Sequence, residues 1–227
     1  MAMFVDLVSE QHPTMFPRKV DKNGRTINTS EVVRGKTFVR RPEDVTGIVL
    51  HQTACVYGPD DKTKRNRRAL KIPAHVVAFR DGTYVQGAPL LWFLYHGNGF
   101  NPFSLGLEME GHYPGLKDDP ITPKREDTAT TWGGTPTPLT DEALDGFRAA
   151  LSHLVFEGRR LGCPIQYIWA HRQSSADRRS DPGQELWQRV GIEHGVEVLG
   201  LKTQPERVLR DGRPIPAAWG GPHRFNY

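Results

Sequence analysis

Cysteine is scarce. Cys55 and Cys163 are the only two in 227 residues, too few for a disulfide framework, so stability must come from an apolar core. No apolar run approaches the ~18 residues that a membrane-spanning helix requires, which argues against membrane insertion. The opening stretch MAMFVDLVSEQHP sets Asp6 and Glu10 inside its one apolar patch and has no basic segment. It therefore does not read as a cleaved secretory signal, and synthesis in the cytoplasm is expected. A large charge of one sign is also missing. The formal charge is +4 with a pI near 9.1, a mild basic bias that eases approach to an anionic polymer without specifying one. The most basic run, KTKRNRRALK, has little aromatic interleaving, so nucleic acid is not the expected partner. No internal repeat is present. What remains, 37% hydrophobic and 25% charged residues, describes one globular domain with additions.

The elements read as follows. Residues 1–44 mix Pro, Lys and Arg with polar residues and show no sustained periodicity, which predicts an extended N-terminal arm packing on the core. VTGIVLH, at 45–51, is a short β-branched run that predicts a buried strand ending at His51. In HVVAFRDGTYVQG two β-rich runs flank Asp81-Gly82, a pair suited to a type I′ hairpin turn. LGLEME alternates as a strand, placing Glu108 and Glu110 on one face. Five prolines between residues 113 and 139 argue for a long surface insertion instead of a regular element. Thr140 then caps a helix with Asp141 and Glu142 in its first turn, and Leu144, Phe147, Leu151, Leu154 and Val155 recur at helical spacing. PIQYIW predicts a strand delivering His171, a last helix is expected near 184–194, and the segment from 200 to 227 is a Pro- and Gly-rich extension. The order strand, hairpin, strand, helix, strand, helix implies an α/β fold, a mixed central sheet flanked by helices, with the main domain spanning 45–199.

A histidine taken alone is more often structural than a ligand, and His12, His153, His194 and His223 are read that way. His51 and His171 differ because both fall at predicted strand ends. With the loop carboxylate of Asp181 they form the type of three-ligand set that catalytic zinc uses, leaving a fourth position for water.

Five blocks, GIVLHQTA, HVVAFRDGTYVQ, YHGNG, SLGLEMEG and AHRQSSADRRSDPG, resemble in this order those of the zinc-dependent N-acetylmuramoyl-L-alanine amidases of the type-2 amidase family. That family includes phage lysozyme-like amidases and is similar in fold to the peptidoglycan-recognition proteins. The resemblance spans residues 45–195. It implies that His51, His171 and Asp181 bind Zn²⁺, and that Glu108, not Glu110, is the catalytic acid–base. It further implies that His75 and His96 lie beside a substrate cleft. Where the family commonly has lysine two residues before the last ligand, this chain has Arg179, whose role should be purely electrostatic because arginine does not readily release a proton. Trp92 and Tyr95, with Phe93, Phe100 and Phe103, crowd the sequence near His96, where Trp92 and Tyr95 are expected to contact substrate. The implied partner is peptidoglycan and the implied product a cut lactyl–L-alanine amide. The enzyme, expected to be a monomer, would be an endolysin acting on the wall after release or a wall-recycling amidase; a catalytically silent wall-binding module is the alternative.

Overall fold

The computed structural model describes residues 39–57, 65–66, 69, 72–115 and 136–220, the strand Met3–Asp6 and four two-residue strands between Lys19 and Thr37. Most of the Pro-rich insertion and of the basic run therefore lies outside the described residues.

Seven strands form one sheet: β1 (Met3–Asp6), β2 (Gly47–Gln52), β3 (Val76–Ala78), β4 (Thr83–Gln86), β5 (Ser104–Met109), β6 (Tyr167–Ala170) and β7 (Lys202–Thr203), in the spatial order β1-β4-β3-β5-β2-β6-β7. Only β3 and β4 pair antiparallel; every other neighbouring pair in this sheet is parallel. All six residues of β2 are buried, as expected of a central parallel strand covered on both faces, and this is why its sequence is continuously apolar up to His51.

Side-chain parity divides the two faces. Ile48 and Leu50 of β2, Leu105 and Leu107 of β5 and Ile168 of β6 point into the main core. That face is covered by α1 (Asp141–Arg160) and by a second helix that starts at Gln184–Leu186 and continues with wider π winding over Trp187–Val196. The Thr140 hydroxyl accepts a hydrogen bond from Ala143 N, satisfying one of the free amides at the start of α1. On the opposite face Val49 packs with Phe100 and Trp169, and His51 follows Val49 on that same face.

One expectation is corrected. The β3–β4 connection is not a type I′ turn, because only Gly82 has a positive φ, 75°. Gly82 N donates to Phe79 O and Phe79 N to Thr83 O, so Arg80 and Asp81 form the turn and Gly82 its left-handed exit. β5 ends at Met109, one residue before Glu110, whose amide still donates to Ala78 O at 2.9 Å.

Candidate metal centre

Strand register builds the site. His51 in β2 lies opposite Glu108 in β5, and Leu50 opposite Ala170 in β6, so the next residue, His171, flanks His51 on its other side. Three chemically active side chains thus stand side by side at the carboxyl ends of three adjacent parallel strands, where open α/β sheets characteristically bind ligands. The chain then makes two short 3₁₀ turns, His171–Ser174 and Ala176–Arg178, and returns. Arg172 N donates to Asp181 O at 3.0 Å and Asp181 N to Arg178 O at 3.1 Å, bringing Asp181 back beside His171.

His51 Nδ1 and His171 Nδ1 are 2.9 Å apart, and His171 Nδ1 is 2.9 Å from Asp181 Oδ2. One ligating atom from each of these three residues lies within 4.8 Å of the others, and all three residues are buried. The other carboxylate oxygen, Asp181 Oδ1, accepts a hydrogen bond from Gln52 N at 2.9 Å, which aims Oδ2 at the imidazoles. Burial above all, and then the proximity of His171, His96 and Arg178, pushes the His51 pKa well below the ordinary histidine value, so the ring is neutral and offers a lone pair. The donor set fits zinc. Two nitrogens and a carboxylate oxygen are the ligands zinc takes, and atoms ~2.0 Å from one tetrahedral ion stand ~3.3 Å from each other.

Glu108 Oε1 is 3.9 Å from His51 Nδ1, and its buried Oε2 has no hydrogen-bond partner among the described residues. Burial raises its pKa well above the usual carboxylate value, and the Asp181 charge adds to this while Arg178 opposes it. Glu110 is a different kind of residue: its two oxygens accept from Tyr57 N at 2.6 Å and Arg80 N at 3.0 Å, so it ties one cleft wall together. The site opens into a cleft of about 660 Å³ whose lining includes Tyr57, Tyr95, Asn98, Glu108 and Arg178.

Of the residues singled out from sequence, His51, Glu108, His171 and Asp181 come together. Tyr95, 59% exposed, and His96 border the cleft. His75 is fully buried, where its Nδ1 accepts from Gly106 N. Trp92 is not among the residues that line the cleft; its carbonyl lies 3.0 Å from His75 Nε2 and its backbone bridges to Val39. Phe100 is core, stacked on Trp169 at 4.8 Å. Arg179 borders a smaller hollow behind Asp181, whereas Arg178 lines the cleft itself. Two adjacent arginines in a loop of no regular period carry no mark of which one faces inward. Gln52, which also bonds Tyr113 and Ser180, was not singled out either; its only signal is its place beside His51.

The segment after residue 200 braces this loop. Arg172, wholly buried, donates through Nε to Pro214 O at 2.9 Å and through Nη1 to Arg179 O, with its guanidinium 4.8 Å from the Trp219 ring. The Gln173 amide nitrogen donates to the carbonyls of Gln204 and Arg207. Arg172→Ala is expected to cost roughly 3 kcal/mol, because it leaves buried carbonyls without donors and an unfilled space. It should also weaken metal retention, since the same side chain fixes the backbone between His171 and Asp181. Thermal melting and chelator competition on one preparation would measure both, and an unchanged melting temperature would remove the brace.

Among the described residues no helix is long and apolar enough to cross a membrane. A family profile described as N-acetylmuramoyl-L-alanine amidase matches residues 41–184, the span that holds His51, Glu108, His171 and Asp181. No curated protein sequence matches the chain. Among solved structures, the endolysin amidase LysCS from Clostridium intestinale URNW is 14% identical, with 85% of this chain and 98% of that one covered and a TM-score of 0.44. The Ph2119 endolysin from a Thermus scotoductus MAT2119 bacteriophage is 15% identical, with 82% and 97% covered and a TM-score of 0.43. The Drosophila peptidoglycan recognition protein SA is 17% identical, with 72% and 86% covered and a TM-score of 0.43. The profile covers more than half of the 227 residues, and the chain belongs to the type-2 N-acetylmuramoyl-L-alanine amidase family.

Proposed function

We propose that this protein is a zinc-dependent hydrolase that cuts the amide between the lactyl group of N-acetylmuramic acid and L-alanine in peptidoglycan. One observation carries the reading: Nδ1 of His51, Nδ1 of His171 and Oδ2 of Asp181 converge beside a carboxylate, Glu108, that has an uncommitted oxygen. A zinc ion held by those three atoms would supply a water acidified toward pH ~7 and a Lewis acid for the scissile carbonyl.

The chain's own groups do the rest. Glu108, held at the edge of the cleft by β5, takes the proton of the attacking water and returns it to the leaving amine of L-alanine. Its burial, which favours the protonated form, suits a group that must take up a proton and then hand it on. Arg178 sets a fixed positive charge in the cleft wall, and Arg179 adds to the positive field behind Asp181. Both favour the negative charge that builds on the carbonyl oxygen. Tyr95, exposed at the rim, offers a face for a sugar ring or the stem peptide. The same chemistry serves an endolysin reaching the wall from inside or an amidase recycling wall fragments.

A silent wall-binding module has no use for a buried carboxylate with an unbonded oxygen, a costly arrangement unless chemistry requires it. Purified protein incubated with purified peptidoglycan should release fragments whose masses show a new lactyl carboxyl group and a free L-alanine amine. EDTA should stop the release and added zinc restore it. Wall binding with no cleavage, or cleavage at a peptide bond farther along the stem, would refute the assignment.

A further inference from the structure

The sequence places His96 beside the substrate cleft, yet both of its ring nitrogens face the protein. Nδ1 lies 3.1 Å from His51 Nε2, and Nε2 lies 3.2 Å from the Ser104 carbonyl oxygen. A carbonyl can only accept, so His96 Nε2 carries the proton. In the neutral ring Nδ1 then accepts, so the proton between the two histidines belongs to His51 Nε2. It follows that His51 Nδ1 bears a bare lone pair, and this is the nitrogen aimed at His171 and Asp181. The Ser104 hydroxyl reinforces the order. Its proton goes to Phe100 O at 2.8 Å, so towards His96 Nε2, 3.4 Å away, it can only accept.

The backbone makes room for this relay. Gly106 stands directly opposite Val49 in the sheet, and a Cβ on Gly106 would lie 2.7 Å from both Cγ and Nδ1 of His96. Any side chain there would push the ring off His51. His75 backs the arrangement from behind, its ring edge-on to His96 at 5.5 Å, with Nδ1 held by Gly106 N at 2.9 Å.

We propose that His96 is a positioning residue: through its Nδ1 it fixes the tautomer and ring orientation of His51, so that His51 Nδ1 is permanently presented as a metal ligand. The inference rests on the metal site proposed above, and outer partners of this kind commonly change metal affinity about 10- to 100-fold. It assigns no substrate contact to His96.

Two measurements test it. In the metal-free wild type, nitrogen-15 long-range correlation spectra of the histidine rings should show His51 as the Nε2–H tautomer; an Nδ1–H form would overturn the proposal whether or not the protein binds zinc. Zinc affinity, read by competition with a chromophoric chelator, should fall about 10- to 100-fold in His96→Phe, which removes the acceptor. It should recover in large part in His96→Asn, whose Oδ1 can take the place of Nδ1. Gly106→Ala, which displaces the ring without altering its chemistry, should lose affinity as His96→Phe does, and it decides the matter if the Phe variant does not fold. Unchanged affinity in both His96→Phe and Gly106→Ala, with KM for peptidoglycan fragments raised, would make His96 a substrate contact and end the proposal. Absence of zinc binding by the wild type would sink the metal reading alone, because the tautomer measurement still reports on His96.

Discussion

Glu108→Gln is expected to lower hydrolysis by about 10³-fold while zinc stays bound, the range lost when a positioned acid–base is removed. Glutamine keeps the volume and can still bond a water, but it cannot carry a proton to the leaving amine. KM should change little, so the loss should appear in kcat. The same substitution should raise the melting temperature of the metal-free protein at neutral pH, and the sign follows from the direction of the pKa shift. Glu108 has a folded pKa raised above its unfolded value of about 4.5. Its contribution to stability is therefore fully present below the unfolded value and lost as pH rises through the folded one. At neutral pH the unfolded carboxylate is ionised and fully hydrated, so burying this group beside Asp181 costs the fold stability, and glutamine removes that cost; stability given up at a reactive group is a common trade. A glutamine variant with full activity would transfer the role to another group, and Glu110 is poorly placed to take it, since both of its oxygens already accept backbone amides.

Asp181→Ala should lose zinc and hydrolysis together. The substitution removes one of three protein ligands and also the acceptor for Gln52 N, so the end of β2 is left with an unsatisfied amide beside His51. The drop in zinc affinity should exceed the roughly 100-fold seen for outer partners, and dialysis against buffer followed by metal analysis would detect it. Retention of one zinc per chain in this variant would remove Asp181 from the ligand set. Acidification should act in the same direction. His51 has a folded pKa depressed well below its unfolded value of about 6.5, so the stability it contributes is present above that value and is lost as pH falls towards the folded pKa. Protons and metal compete for the same Nδ1, and zinc release should accompany this loss.

The parts of the fold that were legible are those where a local pattern and the tertiary environment agree. Thr140, the acidic first turn and the Leu144–Phe147–Leu151 stripe mark α1 because one face of that helix meets the sheet along its whole length. The continuous apolar run before His51 marks a strand buried on both faces. Residues 202 and 203 join the sheet only through backbone pairing with β6, and two residues carry no period to read. The turn between β3 and β4 departs from the type I′ expectation because Asp-Gly suits two loop types, and the choice lies with Arg80 and Asp81, neither of which has a positive φ.

The site divides in the same way. Spacing could place His51 and His171 at strand ends, but that they adjoin depends on the order in which β5, β2 and β6 lie side by side, which no single strand encodes. The choice between Glu108 and Glu110 rests on resemblance alone; the structure separates them by bonding both oxygens of Glu110 to backbone amides while Glu108 Oε2 has no partner among the described residues. Whether Arg178 or Arg179 faces the cleft is set by the hydrogen bonds of the 3₁₀ turns and by Arg172, whose partners lie some forty residues further on. The contact between His96 and His51 spans 45 residues. Its one local trace is the glycine inside SLGLE, which reads as flexibility until the ring above it is seen.

X-ray absorption at the zinc edge of protein loaded with one equivalent tests the central claim most directly. The account predicts a first shell of nitrogen and oxygen only, with outer-shell scattering from two imidazole rings, and loss of one ring's contribution in His171→Ala. A sulfur in the first shell, which would bring in Cys55 or Cys163, or scattering from a single imidazole in the wild type, would contradict it.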